Sequence, residues 1–373
     1  MKKRTVLLLV LTGWLALGLQ GKSFPSVPQS HIQLAILLDT SGSMDGLIDQ
    51  ARSRIWKIVN ELALARKNGQ APRLQVALFE YGQDTIPAAS GYLRRIVPLS
   101  EDLDRISEEL FRLRTNGGQE YCGQVIQAAV RNLEWSQGGS DLKMIVIAGN
   151  EPFTQGGADY RSSCREAISH GIVVNTIFCG NYQEGLQTDW KAGADLADGQ
   201  YVAINADQAP PPVSAPQDAE IARLNMEMNQ TYIAFGKDGV GGLARQKEQD
   251  KNAAAISGEV MAQRAAAKAA PQYSNSAWDL VDAKKSGHVK LEELSEAELP
   301  QEMKGMSAKE RDEYVAAMQG KRDELRKKIA RLNDGREKFV REKIKSAGAD
   351  TLDEAILRAL RSQAAEKNFK FEK

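Results

Sequence analysis

The chain has 373 residues, of which 42% are hydrophobic and 26% are charged, so it is long and apolar enough to bury a sizeable core in about two domains. Basic and acidic residues number 49 each, which argues against a broadly basic surface for nucleic-acid phosphates. Three cysteines are too few for a fold held together by disulfides.

The first 22 residues have the layout of a signal peptide. Three cations at positions 2–4 precede an apolar run over residues 6–19, and small and polar residues follow. The run is short for a membrane-spanning helix, which needs about 20 residues. We predict a signal peptide over residues 1–22 and an extracytoplasmic protein, periplasmic or secreted. The alternative is an uncleaved anchor, and only then would the protein contact a membrane.

Residues 31–206 alternate between short apolar runs and amphipathic segments. Four runs are typical of buried strands: 32–38, 74–79, 144–148 and 172–178. Apolar residues recur at helical spacing over 47–64 and 125–133, and shorter strands are predicted at 92–97, on a sheet edge, and at 201–204. This alternation favours an α/β fold with a doubly wound, mostly parallel open sheet.

The composition changes after residue 206. Consecutive prolines predict a linker over residues 207–217, because proline joins neither a helix interior nor a central strand. Residues 218–373 are rich in Ala, Glu, Lys, Arg and Gln, and we predict a charged, mainly α-helical region.

One stretch of this region carries an apolar helical stripe formed by Met318, Leu325, Ile329 and Leu332. The Asn-Asp-Gly sequence at 333–335 predicts a break in the helix. Because Arg322 and Arg336 fall on the same stripe, packed helices or a helical hairpin are favoured over a long coiled coil.

The strongest chemical signal is formed by Asp39, Ser41 and Ser43. They follow the first predicted strand directly, and ligands of open α/β sheets bind at the carboxyl ends of the strands. A carboxylate and two hydroxyls are hard oxygen ligands of the kind that Mg²⁺ prefers. Because they supply only one negative charge, a bound cation would attract an acidic group from outside.

With the apolar run before it and an amphipathic helix after it, Asp39-x-Ser41-x-Ser43 resembles the opening of the metal-ion-dependent adhesion site of von Willebrand factor A domains. The resemblance covers residues 31–206. It implies a Rossmann-like fold, a divalent cation such as Mg²⁺, and a protein partner that offers a carboxylate, without catalysis. The chain contains neither G-x-S-x-G nor H-E-x-x-H, so no common hydrolase motif favours an enzyme.

Two later parts of the family's site differ here. In the loop 117–123, Glu120 stands where the family has a threonine, and Gly149 stands where it has an aspartate. We predict metal ligation by Asp39, Ser41, Ser43 and Glu120, with weaker contributions from Asn150 and Glu151.

The alternative is a degenerate site whose serines merely cap the next helix. The protein would then be a scaffold whose helical C-terminal region binds the partner.

Two further patterns leave choices open. Residues 282–293 resemble a calcium-binding EF-hand loop, but Lys284 occupies a ligand position, so we interpret them as a decayed loop or a chance turn. Cys122, Cys164 and Cys179 could form one disulfide in an oxidising compartment or stay buried as free thiols.

Overall fold

The computed structural model describes residues 29–204, 213–346 and 352–371. The predicted signal peptide lies outside the described residues, as does most of the predicted linker. In the described part of the chain, no helix combines the length and the apolar character needed to cross a membrane.

A six-stranded sheet forms the centre of the N-terminal half. Its strands are β1 (His31–Asp39), β3 (Arg73–Tyr81), β4 (Leu93–Ser100), β5 (Leu142–Gly149), β6 (Ile172–Phe178) and β7 (Tyr201–Ala203). Their order is β4-β3-β1-β5-β6-β7, and every pair is parallel except the edge pair of β3 and β4. The predicted α/β fold with a mostly parallel sheet is therefore confirmed.

Both faces of the sheet are covered, which explains why its central strands are continuous apolar runs. Ile36 and Leu38 of β1 point to the face that carries α1 (Ile48–Leu62) and α2 (Leu103–Arg112). Leu37 points to the other face. That second face carries α3 (Cys122–Asn132), α4 (Tyr160–Ser169), α5 (Tyr182–Gln187) and α6 (Trp190–Asp195).

The C-terminal region is helical, as predicted. Its helices are α7 (Asp218–Asn229), α8 (Gly239–Ile256), α9 (Gly258–Ala269), α10 (Leu280–Lys285), α11 (Ala308–Ser346) and α12 (Leu352–Glu366). Helices α8, α9 and α12 pack on α1 and α2, and one hydrophobic cluster contains Trp56, Met261 and Leu360. A short antiparallel pair, β2 (Ala65–Arg66) with β8 (Lys370–Phe371), joins the end of the chain to the segment after α1.

The predicted helix break at residues 333–335 is wrong, because α11 continues through it. A glycine inside a helix costs only about 1 kcal/mol relative to alanine, and tertiary contacts offset that cost. Arg336 is buried and pairs with Asp218 of α7 at 2.7 Å. The other arginine of the stripe, Arg322, pairs with Asp279 at 2.6 Å, so acids from other elements neutralise both charges.

The EF-hand-like segment has a structural role. The Asp282 carboxylate lies in α10, where it accepts hydrogen bonds from the backbone N–H of Asn275 at 2.9 Å and from Arg322 at 3.1 Å. These hydrogen bonds occupy both oxygens of the Asp282 carboxylate, which an EF-hand loop would turn towards calcium. This favours the interpretation as a decayed loop.

All three cysteines are buried free thiols, so the alternative of a disulfide among them is wrong. Burial raises the pKa of Cys164 to about 12, and it raises the pKa of Cys122 and Cys179 further. These groups stay protonated thiols at neutral pH and act as small apolar core residues.

Candidate metal site

The candidate site lies at the carboxyl edge of the sheet, where three neighbouring strands end. Asp39 ends β1, Gly82 follows β3, and Gly149 ends β5. Because β1 is parallel to both neighbours, these three ends lie side by side. The sheet thus brings together residues that are more than 100 positions apart in the sequence.

Asp39 is fully buried. Its Oδ1 atom accepts a hydrogen bond from the backbone N–H of Ser41 at 2.8 Å, whereas its buried Oδ2 atom has no hydrogen-bond partner. Burial raises the pKa of Asp39 to about 7, and the nearby Glu120 carboxylate adds to this rise. A buried carboxylate oxygen without a partner is costly, and a bound cation would compensate it.

The two serines lie together beside this carboxylate. Their Oγ atoms are 2.9 Å apart, and the Oγ atom of Ser43 donates to Oδ1 of Asn150 at 3.0 Å. Asn150 in turn donates through Nδ2 to the carbonyl oxygen of Ser43 at 3.2 Å. The Ser41 side chain caps no helix, and the N-cap position of α1 is Leu47. The alternative that these serines serve as helix caps is therefore wrong.

Glu120 enters from the loop before α3 and is buried. Gln155 orients this loop, because its Oε1 atom accepts the backbone N–H of Glu120 at 3.0 Å. Burial raises the pKa of the Glu120 carboxyl, and the charge of Glu151 raises it further. Glu120 and Glu151 are therefore close enough to repel each other.

Gly82 separates the two buried acids. A Cβ atom at this position would lie 2.6 Å from Oδ1 of Asp39 and 3.0 Å from Cγ of Glu120, and the residue has a φ of +82°. Only glycine fits both the space and the backbone conformation. The sequence pattern did not predict a role here for Gly82, Tyr81 or Gln155, although a glycine directly after an apolar strand is a signal that could have identified Gly82.

Gly149, which stands where the family has an aspartate, has no room for a side chain. A Cβ atom there would lie 2.5 Å from Oη of Tyr81 and 2.9 Å from Oδ2 of Asp39. The Tyr81 hydroxyl occupies this space and donates to the carbonyl oxygen of Ala148 at 3.1 Å. The polar contact from this loop to the serines comes instead from the next residue, Asn150.

Restoring the family's aspartate by Gly149→Asp is expected to destabilise the protein by about 1–3 kcal/mol or more, because it overpacks the site and adds a second buried charge beside Asp39. Asn150→Asp is the matched change, since that half-buried side chain already faces Ser43. It is expected to fold normally and to bind Mg²⁺ more tightly. Urea denaturation and Mg²⁺ titration of both variants check this, and a Gly149→Asp variant of wild-type stability would contradict it.

Within the described residues, no group of three or more His, Cys, Asp or Glu side chains is arranged to hold a metal ion. The candidate set is of another kind, with two carboxylates, two hydroxyls and one amide. These donors are all oxygens, which suits Mg²⁺ and similar hard cations better than ions that prefer thiolate or imidazole.

The comparison with protein families agrees with this geometry. Residues 33–190 match the family model of the von Willebrand factor type A domain. This part of the chain is a VWA domain. The matched segment begins in β1 and ends at the start of α6, so it includes all three loops of the candidate site.

Several solved structures resemble the chain over about half of its length. BatB from Bacteroides thetaiotaomicron is 15% identical, with 47% of this chain and 90% of that chain covered and a TM-score of 0.35. The SpRpn10 VWA domain is 16% identical, with 49% and 99% covered and a TM-score of 0.35. Proximal thread matrix protein 1 from the mussel byssus, solved with a zinc-occupied MIDAS motif, is 14% identical, with 48% and 43% covered and a TM-score of 0.35. A search of curated proteins found no match.

Proposed function

We propose that the VWA domain binds a divalent cation, with Mg²⁺ as the first candidate, and that this ion coordinates a carboxylate of a protein partner. Asp39, Ser41, Ser43 and Glu120 are the proposed ligands. The observation that carries the proposal is the buried, unpartnered Oδ2 atom of Asp39 beside two serine hydroxyls that are 2.9 Å apart.

The charges of the site fit a dication. The family's pattern supplies one acid from the first loop and one from the third, whereas here Asp39 and Glu120 supply them from the first and second loops. Bound Mg²⁺ would offer coordination positions to an outside oxygen ligand. The chain's own part is to fix the donors, with Asn150 holding the Ser43 hydroxyl and Gln155 holding the Glu120 backbone.

We further propose that the domain binds without catalysis and acts outside the cytoplasm. The candidate site combines carboxylates with hydroxyls and includes no histidine as a general base. His31, for example, begins β1, at the opposite end of that strand from Asp39. The predicted signal peptide supports export.

Isothermal titration calorimetry with MgCl₂ tests the cation site. Glu120→Gln is expected to weaken Mg²⁺ binding about tenfold, because it removes one of two charges from the site. Glu120→Thr restores the family's hydroxyl ligand and is expected to bind better than a Glu120→Ala variant. Glu134→Gln, an exposed residue beyond α3, serves as the control. Absence of binding by both Mg²⁺ and Mn²⁺ at millimolar concentration would contradict the proposal.

Capture of partners from an extracytoplasmic fraction tests the second step. We expect capture by the wild-type protein to require Mg²⁺ and to be lost with EDTA or with Asp39→Ala. Capture that is insensitive to both treatments would instead favour the scaffold alternative, in which the helical C-terminal region binds the partner.

A further inference from the structure

A cavity of about 400 Å³ lies between the VWA domain and the C-terminal helices. Its walls come from α1, α9, α11 and α12, together with Phe371 of β8. This volume lies within the usual range of small-molecule sites, roughly 300–1,000 Å³. The cavity lies at the last turns of α1, roughly 18 Å along that helix from the end that faces the candidate metal site.

Asn60 of α1 lines this cavity and is only 8% exposed. Neither Oδ1 nor Nδ2 of its side chain has a hydrogen-bond partner. Leaving a buried amide without partners costs about 1–3 kcal/mol per group, and native proteins rarely accept that cost without a reason. The neighbouring Glu61 is paired with Arg361 at 2.6 Å, so Asn60 is the polar group of this wall that lacks a partner.

The rest of the lining includes both apolar and charged side chains. Leu64, Ala267, Leu357 and Phe371 line the cavity beside Asn60. The wall formed by α11 adds two acids and two bases, Asp334, Glu337, Lys338 and Arg341. Their helical spacing places them on one face of α11, and all except Glu337 are exposed. A ligand bound here would lie against both signs of charge, apolar surface and the Asn60 amide.

We propose that this cavity binds an amino acid or short peptide with free termini and an apolar side chain. Arg341 and Lys338 receive the carboxylate, and Asp334 and Glu337 receive the ammonium group. A peptide amide offers both an N–H donor and a carbonyl acceptor. These are the hydrogen-bond partners that the Oδ1 and Nδ2 atoms of Asn60 lack. The apolar side chain packs on Leu64 and Leu357.

Calorimetry on the purified protein with the dipeptide Leu-Ala tests this proposal. We expect binding by the zwitterionic dipeptide and at least fivefold weaker binding by its N-acetylated and C-amidated forms. Asn60→Leu and Arg341→Ala are each expected to weaken binding about tenfold. Arg331→Ala, an exposed residue of the same helix outside the cavity, is the matched control.

Asp39→Ala is expected to leave dipeptide binding unchanged, which separates this site from the proposed cation site. Equal binding of the blocked and free dipeptides would overturn the proposed recognition of the termini. Wild-type affinity in both Asn60→Leu and Arg341→Ala would overturn the location. Absence of binding by Leu-Ala at millimolar concentration would overturn the proposal as a whole.

Discussion

Asp39→Asn is expected to make the metal-free protein more stable by about 1–3 kcal/mol, because removing a buried charge outweighs the cost of an unpartnered buried amide, and to abolish stabilisation by Mg²⁺. The wild-type protein buries a carboxylate oxygen without a partner, and a neutral amide of the same shape removes that charge. The same change removes the proposed ligand at the centre of the site. Urea denaturation in EDTA and in excess Mg²⁺ measures both effects, and they have opposite signs.

This opposition distinguishes a metal ligand from an ordinary core residue, because loss of a core contact would lower stability in both conditions. Asp45→Asn provides the matched control, since Asp45 is an exposed carboxylate of the same loop that accepts a hydrogen bond from Thr115. It is expected to change neither measurement. An Asp39→Asn protein that Mg²⁺ still stabilises like the wild type would show that the ion binds elsewhere.

Asp250→Asn is expected to destabilise the protein by about 3–5 kcal/mol at neutral pH, because it leaves the buried Lys268 ammonium without its counter-charge. The Asp250 carboxylate of α8 lies 2.7 Å from Nζ of Lys268 and 3.0 Å from Nε of Arg264. Both of these cations are buried, and Arg264 forms a second ion pair with Asp104 of α2 at 2.5 Å. The cluster therefore joins the helical region to the VWA domain.

The pH dependence of this effect has a definite sign. Burial alone would raise the pKa of Asp250, but Lys268 and Arg264 hold it below its usual value of 3.8. A carboxyl whose pKa is lower in the folded state stabilises the fold above its unfolded pKa, and this stabilisation is lost as the pH falls below that value. The stability gap between wild type and Asp250→Asn should therefore narrow below about pH 4.

Chemical denaturation across this pH range measures the gap. Asp195→Asn is the control, because Asp195 forms an exposed pair with Lys191 on α6 and such pairs contribute less than about 1 kcal/mol. A gap that keeps its full size in acid would mean that the loss reflects packing and not the charge of Asp250.

The sequence predicted the strands of the sheet well because burial of a strand on both faces requires a continuous apolar run, which is a local feature of the sequence. A strand covered on both faces must be apolar throughout, so the runs at 32–38 and 172–178 correspond to β1 and β6 within two residues. The position of Asp39 at the end of β1 followed from the same local pattern. The placement of Glu120 beside Asp39 also needed the resemblance to VWA domains, because Glu120 comes from a loop about 80 residues later.

What only the tertiary structure decided involves partners that are distant in the sequence. Helix α11 continues through residues 333–335 to Arg336, which pairs with Asp218, and the Tyr81 hydroxyl excludes a side chain from position 149. The unpartnered amide of Asn60 has no sequence signal at all, since it depends on which atoms fail to reach it. Periodicity tells which face of an element is buried, whereas the partner of each buried polar group depends on how the elements pack.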